Sequence, residues 1–279
     1  MYKGFSRPRR FWRIIYPSLL FLLLSVIVSI AAGVAWGLKA AFGGTAGIEE
    51  LISEMTGILL NNAMWIQLAY GIVSLAVFIP LWLKTRKRYT RYSGGRIDFA
   101  AALLTVGIAL GANMLLDAAF TITDIAKYFP SYEDVARVLT SGSFPLRLLT
   151  IAVIAPAAEE FCFRGVTLNR MENMKKWSAV LISSALFGFV HLNPLQGLYA
   201  MAIGILLAFI FTRFKSMWYP VIAHVSFNAI SVIKDEFMPD ANLIALLAAG
   251  TAIFIGCGAL LLRRGYPPEI RETSEHAVE

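Results

Sequence analysis

The stretch IIYPSLLFLLLSVIVSIAAGVAWGL, residues 14–38, decides the fold class. It carries no charge over about 25 positions, and at about 1.5 Å per residue a helix of that length crosses a hydrocarbon core about 30 Å thick. Seven more apolar runs follow: 64–83, 97–122, 146–168, 177–192, 195–212, 217–233 and 243–262. The whole chain agrees with this reading, since 58% of its 279 residues are hydrophobic and only 15% are charged, a composition foreign to a soluble globule of this size. The expectation is an all-α polytopic membrane protein, a bundle of about eight transmembrane helices.

Charge placement gives a second, independent signal, because short cytoplasmic loops collect Lys and Arg. Basic clusters stand at Lys3 to Arg13, Lys84 to Arg91, Arg170 to Lys176, Arg213 with Lys215, and Arg263 with Arg264. They occupy alternate connections. The intervening ones carry Glu49, Glu50 and Glu54, then Asp124, Glu133 and Asp134, then no charge around Asn193 and Pro194, then Asp235, Glu236 and Asp240. An even number of spans with both termini in the cytoplasm satisfies this pattern, and the expected location is a cell membrane crossed many times. The net charge of +7 then follows from topology and from attraction to anionic lipid headgroups. No nucleic-acid motif accompanies it. The first apolar run exceeds the usual signal-peptide core and is read as an uncleaved anchor.

The expected organisation is a basic cytoplasmic N-terminus over 1–13, one transmembrane domain over 14–264, and a polar cytoplasmic tail over 265–279. Two segments are expected as helices that do not span. Residues 48–59 place Ile48, Leu51, Ile52, Met55, Ile58 and Leu59 at helical spacing, and 132–139 form a shorter candidate. Cys162 and Cys257 fall inside spans, so no disulfide framework is expected.

Function is sought among ionisable residues within the spans, because charge at membrane depth is costly and is kept for a purpose. The fourth run contains APAAEEFCFRG, with Glu159 beside Glu160 and Arg164 one turn later. The fifth contains FGFVH, with Phe187 and His191 four apart, and the seventh contains HVSFN, with His224 and Asn228 four apart. In an antiparallel hairpin turning near Met174, Glu159 lies 15 residues before the turn and His191 lies 17 after it, which puts them within roughly 3 Å of the same depth. A carboxylate, two imidazoles and a carboxamide at one site are the parts of a hydrolytic centre, in which the carboxylate takes a proton from water and an imidazole with an amide stabilises an oxyanion. The same Glu159, His191 and His224 could instead hold zinc with a position left for water. Among the bland readings, the adjacent Glu159 and Glu160 can be a structural ion pair with Arg164, Phe187 core packing, Cys162 an inert buried thiol, and His276 irrelevant. Asp117 and Arg147 are expected to snorkel at the outer interface.

The ordered set EExxxR, FxxxH and HxxxN, on separate apolar helices over 146–233, resembles the CPBP family, the type II CAAX prenyl endopeptidases and bacteriocin-processing enzymes. That resemblance implies an intramembrane endopeptidase acting on membrane-associated peptides or proteins. Its implied roles are Glu159 as general base, His191 orienting the water, His224 with Asn228 as oxyanion hole, and Glu160 with Arg164 in support. The family is described both as metal-dependent and as metal-independent, so the resemblance implies either zinc or no cofactor. The alternatives from other classes are a non-catalytic scaffold or bacteriocin-immunity protein of the same fold, and a proton or ion transporter using the same residues as a relay.

Overall fold

The computed structural model describes residues 7–42, 48–92, 94–238 and 242–264. Of the expected terminal segments, residues 1–6 of 1–13 and all of 265–279, with His276, lie outside the described residues, while residues 7–13 belong to the first helix. Those described form ten helices of ten residues or more: α1 (Arg7–Phe42), α2 (Ile48–Asn61), α3 (Ala63–Arg88), α4 (Phe99–Thr123), α5 (Ser131–Thr140), α6 (Phe144–Met171), α7 (Lys176–Phe189), α8 (Pro194–Phe214), α9 (Trp218–Phe237) and α10 (Leu243–Arg263). Among the described residues no strand occurs. Each of the eight expected spans corresponds to a helix, and both expected non-spanning helices are present as α2 and α5.

The count of eight spans is not reached by length and apolar composition. Five helices are long and apolar enough to cross, α1, α3, α4, α8 and α10, and a sixth crossing exists if α5 and α6, which meet at 112°, count as one. The reasons are physical. Helix α7 has 14 residues, about 21 Å against a core of about 30 Å. Helix α6 is interrupted by Glu159, Glu160 and Arg164, and α9 by His224, Asn228 and the acidic end Asp235–Glu236. Apart from Asp235 and Glu236, the residues that dilute α6 and α9 are the candidate site.

Several helix starts follow from local chemistry. Asp98, Asn193 and Asn242 stand at the N-caps of α4, α8 and α10, each accepting from a backbone N–H three residues on, at 2.7, 3.1 and 3.1 Å. Pro220 lies in the first turn of α9, where a missing N–H leaves no hydrogen bond unmade.

Helix α6 is the axis of the bundle: residues 161–169 are buried on every side. Helices α1, α3, α7 and α8 pack around its second half, and α9 packs against its first half. Helix α9 also joins α4, against which α10 lies. Small residues allow the close crossings. A Cβ on Gly111 would stand 2.7 Å from the Phe254 nitrogen, and one on Gly188 would stand 2.5 Å from the Gly197 oxygen, which is how helices approach where lipid offers no hydrophobic drive. Large apolar side chains such as Leu23, Ile27, Ile30 and Val34 of α1 are exposed, as a lipid-facing surface requires.

The two classes of connection separate to opposite ends. At the basic end, Arg170 donates to the Arg13 carbonyl at 3.0 Å, Arg91 binds the carboxylate and carbonyl of Glu172, Gly95 donates to the Lys215 carbonyl at 3.1 Å, and Arg264 faces Asp98 at 3.5 Å. At the other end Arg147 pairs with Glu236, Lys234 pairs with Asp117, and Asn193 donates to the Ser131 carbonyl at 3.1 Å. Arg147 therefore does not snorkel: it is 5% exposed and neutralised within the bundle.

Candidate functional site

The site is built on an irregular helix. In α6 the regular α-helical turn Ala155–Glu160 is flanked by π-helical segments, Leu148–Ile154 before it and Phe161–Leu168 after it. Such widened turns shift side chains around the helix and recur at functional sites. Here they bracket the two glutamates. Glu160 is sealed at 0% exposure, whereas the Glu159 side chain keeps 17%. The adjacent carboxylates are thus sorted: one is locked into the core and the other can meet water.

Arg164 locks Glu160. Its Nη1 donates to Glu160 Oε1 at 2.8 Å and its Nη2 to the Gly204 carbonyl at 3.0 Å, while the guanidinium lies 4.6 Å from the Phe187 ring centroid. The glycine at 204 lets α8 come near enough, since a Cβ there would lie 3.1 Å from Phe187 Cδ1. His224 Nδ1 also lies 2.9 Å from Glu160 Oε1, and its Nε2 lies 3.7 Å from Glu159 Oε2. A carboxylate only accepts, so the shorter contact places a proton on Nδ1 and aims Nε2 at Glu159.

Four of the six expected residues, Glu159, Glu160, Arg164 and His224, are therefore in one contiguous cluster. His191 reaches it indirectly. It lies in the turn after α7, not within a span, and its Nδ1 is 2.8 Å from the Phe187 carbonyl, which leaves Nε2 free to point elsewhere. Its ring meets the Phe187 ring edge-to-face at 5.0 Å, and His224 meets the same ring at 5.8 Å. Asn228 sits one turn after His224 but directs its Nδ2 to the Ile151 carbonyl at 2.9 Å.

Phe187, read from sequence as core packing, is 1% exposed and also touches both imidazoles and Arg164. Its place four residues before His191 was the signal available. Gly204, which supplies a carbonyl and no side chain, and Asn113, which donates to the Phe227 carbonyl at 3.1 Å, carried no such signal.

The expected zinc donors Glu159, His191 and His224 do not close into a cradle. His191 meets the other two only through the Phe187 ring, and no group of three or more His, Cys, Asp or Glu among the described residues is spaced to hold a metal ion. In this arrangement the donor set does not fit a bound metal.

Comparison with known proteins gives two findings. Residues 141–230 match a family model described as type II CAAX prenyl endopeptidase Rce1-like. The chain is also 24% identical over 249 residues to a protein of Bacillus subtilis (strain 168) named "Putative membrane peptidase YdiL", covering 85% of this chain and 96% of that relative. No solved structure matches it significantly. The family model is that of the enzymes the three motifs resemble, the relative is named a membrane peptidase, and over the core that holds the site this multi-pass membrane protein is similar to the type II CAAX prenyl endopeptidases.

Proposed function

We propose that this chain is an intramembrane endopeptidase that hydrolyses peptide bonds in membrane-associated peptides or protein tails. The observation that carries the proposal is the sorted pair of glutamates: Glu160 fixed by Arg164 and His224, and Glu159 partly accessible with His224 Nε2 3.7 Å away. Glu159 takes a proton from water as the water attacks the scissile carbonyl. His191, through its unengaged Nε2, orients that water. His224, whose orientation is fixed by Glu160, accepts at Nε2 the proton that Glu159 has taken, and the N–H so formed stabilises the oxyanion. The proton then passes to the leaving amine, and the products are a new carboxylate and a new amine. The rigid buried ion pair beneath these groups keeps them in place without reorganisation during the reaction.

The proposed setting is a cell membrane with both chain termini and the basic end of the bundle in the cytoplasm, which the segregation of basic and acidic connections supports. Substrates reach Glu159 from within or beside the bilayer. The test is cleavage of a library of membrane-anchored peptides by the protein reconstituted in liposomes. Cleavage by the wild type and its loss in Glu159→Ala support the proposal. Equal cleavage by both removes Glu159 from its role. No cleavage by either, with a partner bound equally by both, favours the scaffold reading.

A further inference from the structure

Pro156 sits in the middle of the helix that carries the glutamates, three residues before Glu159. A proline has no N–H, so Pro156 can donate neither to the carbonyl four residues back nor to the one five back, which is that of Ile151. The remaining helical donor for Ile151 is the N–H of Ala155. That group is already committed, in the π pattern, to the Thr150 carbonyl. The Ile151 carbonyl thus loses its helical partners at the step where the π-helical segment gives way to Ala155–Glu160. Within a membrane such a freed carbonyl needs another donor, and a neighbouring helix is one source. Asn228 does this, with Nδ2 to Ile151 O at 2.9 Å.

We propose that Asn228 is a positioning residue for Glu159, capping the backbone carbonyl that Pro156 leaves open and so fixing the turn of α6 on which Glu159 stands. The cap is one of two grips that α9 takes on α6. One turn earlier His224 holds Glu160 at 2.9 Å, and the i, i+4 spacing puts both grips on one face of α9. Asn113 steadies the same stretch of α9 by donating to the Phe227 carbonyl at 3.1 Å. This role rests on the proposed hydrolysis for its catalytic consequence, but the capping itself does not.

The test is a cycle of Asn228→Ala and Pro156→Ala, read as kcat and KM for cleavage. With alanine at 156 an N–H returns five residues after Ile151, so the carbonyl regains a backbone donor and the need for Asn228 falls. The expected result is that Asn228→Ala lowers kcat at least about tenfold with proline at 156 and less than about threefold with alanine there, KM changing little. The same loss in both backgrounds would overturn the proposal, because an amide acting on the oxyanion alone is indifferent to residue 156. A second arm reads stability in the Glu159→Gln background, where activity plays no part. There Asn228→Ala should lower Tm by about 2 °C or more, as an uncapped, part-buried carbonyl implies, and an unchanged Tm overturns the cap. This arm stands alone if Pro156→Ala does not fold. It also separates the two ideas: a wild type that cleaves nothing, with Tm still falling, rejects the hydrolysis and keeps the cap.

Discussion

Arg164→Met should be one of the most destabilising single changes in this protein. Both partners of the Arg164–Glu160 pair are 0% exposed, and Nη1 and Oε1 lie 2.8 Å apart. Removing the guanidinium leaves a carboxylate at membrane depth, and an uncompensated buried charge costs about 3–5 kcal/mol. The bond to the Gly204 carbonyl and the stacking on Phe187 go with it. For a chain of this size that corresponds to a fall in Tm of roughly 6–20 °C. The double change Glu160→Gln with Arg164→Met removes both charges and keeps an acceptor for His224 Nδ1. Well-packed neutral replacements of buried pairs are often close to neutral, so the double variant should recover at least about 2 kcal/mol relative to the sum of the singles. The assay is thermal unfolding in detergent followed by tryptophan fluorescence. An Arg164→Met protein within about 1 kcal/mol of wild type, or strict additivity, would refute the idea that this pair is the keystone of the site.

Gly188→Ala would place a Cβ 2.5 Å from the Gly197 oxygen and 3.0 Å from Met201 Cβ; it should cost about 1–3 kcal/mol and reduce cleavage by displacing His191. Gly256→Ala on exposed α10 meets nothing within 4 Å and should stabilise by about 0.5–1 kcal/mol, both changes being measured by thermal unfolding. Cys162, 0% exposed and 3.6 Å from the Pro17 carbonyl, should resist maleimide until the protein is unfolded in SDS; early labelling followed by mass spectrometry would contradict its place in the core. For topology, Lys175→Cys should label from the cytoplasmic side of sealed vesicles and Asp124→Cys from the opposite side, and labelling of both from one side would overturn the proposed orientation.

The helices were legible because uninterrupted apolar runs such as 14–38 leave a chain no other way to satisfy its backbone in lipid. The same rule undercounts and overcounts where function intrudes: α7 is short because it must end beside His191, and α9 is polar because it carries the grips on α6. The contact of His224 with the glutamates was signalled by residue type, while its pairing through Nδ1 to Glu160, and not first to Glu159, depends on the rotation of α6. That rotation comes from the π-helical segments, which leave no mark in the sequence beyond Pro156. Sequence spacing placed His191 at the depth of Glu159, but the chain turns after Phe189, so the imidazole reaches the cluster through the Phe187 ring. Arg147 was read as an interfacial snorkeller because its partner, Glu236, lies 89 residues away in sequence.

The central claim is that Glu159 activates the attacking water. Single-turnover cleavage in ¹⁸O-water, comparing the wild type with the isosteric Glu159→Gln, tests it most directly. Glu159 acting as general base gives one ¹⁸O in the new carboxylate of the product, none in Glu159, and a rate at least about a hundredfold lower in the variant. Cleavage by Glu159→Gln at the wild-type rate, or ¹⁸O recovered in the Glu159 carboxylate, would contradict it.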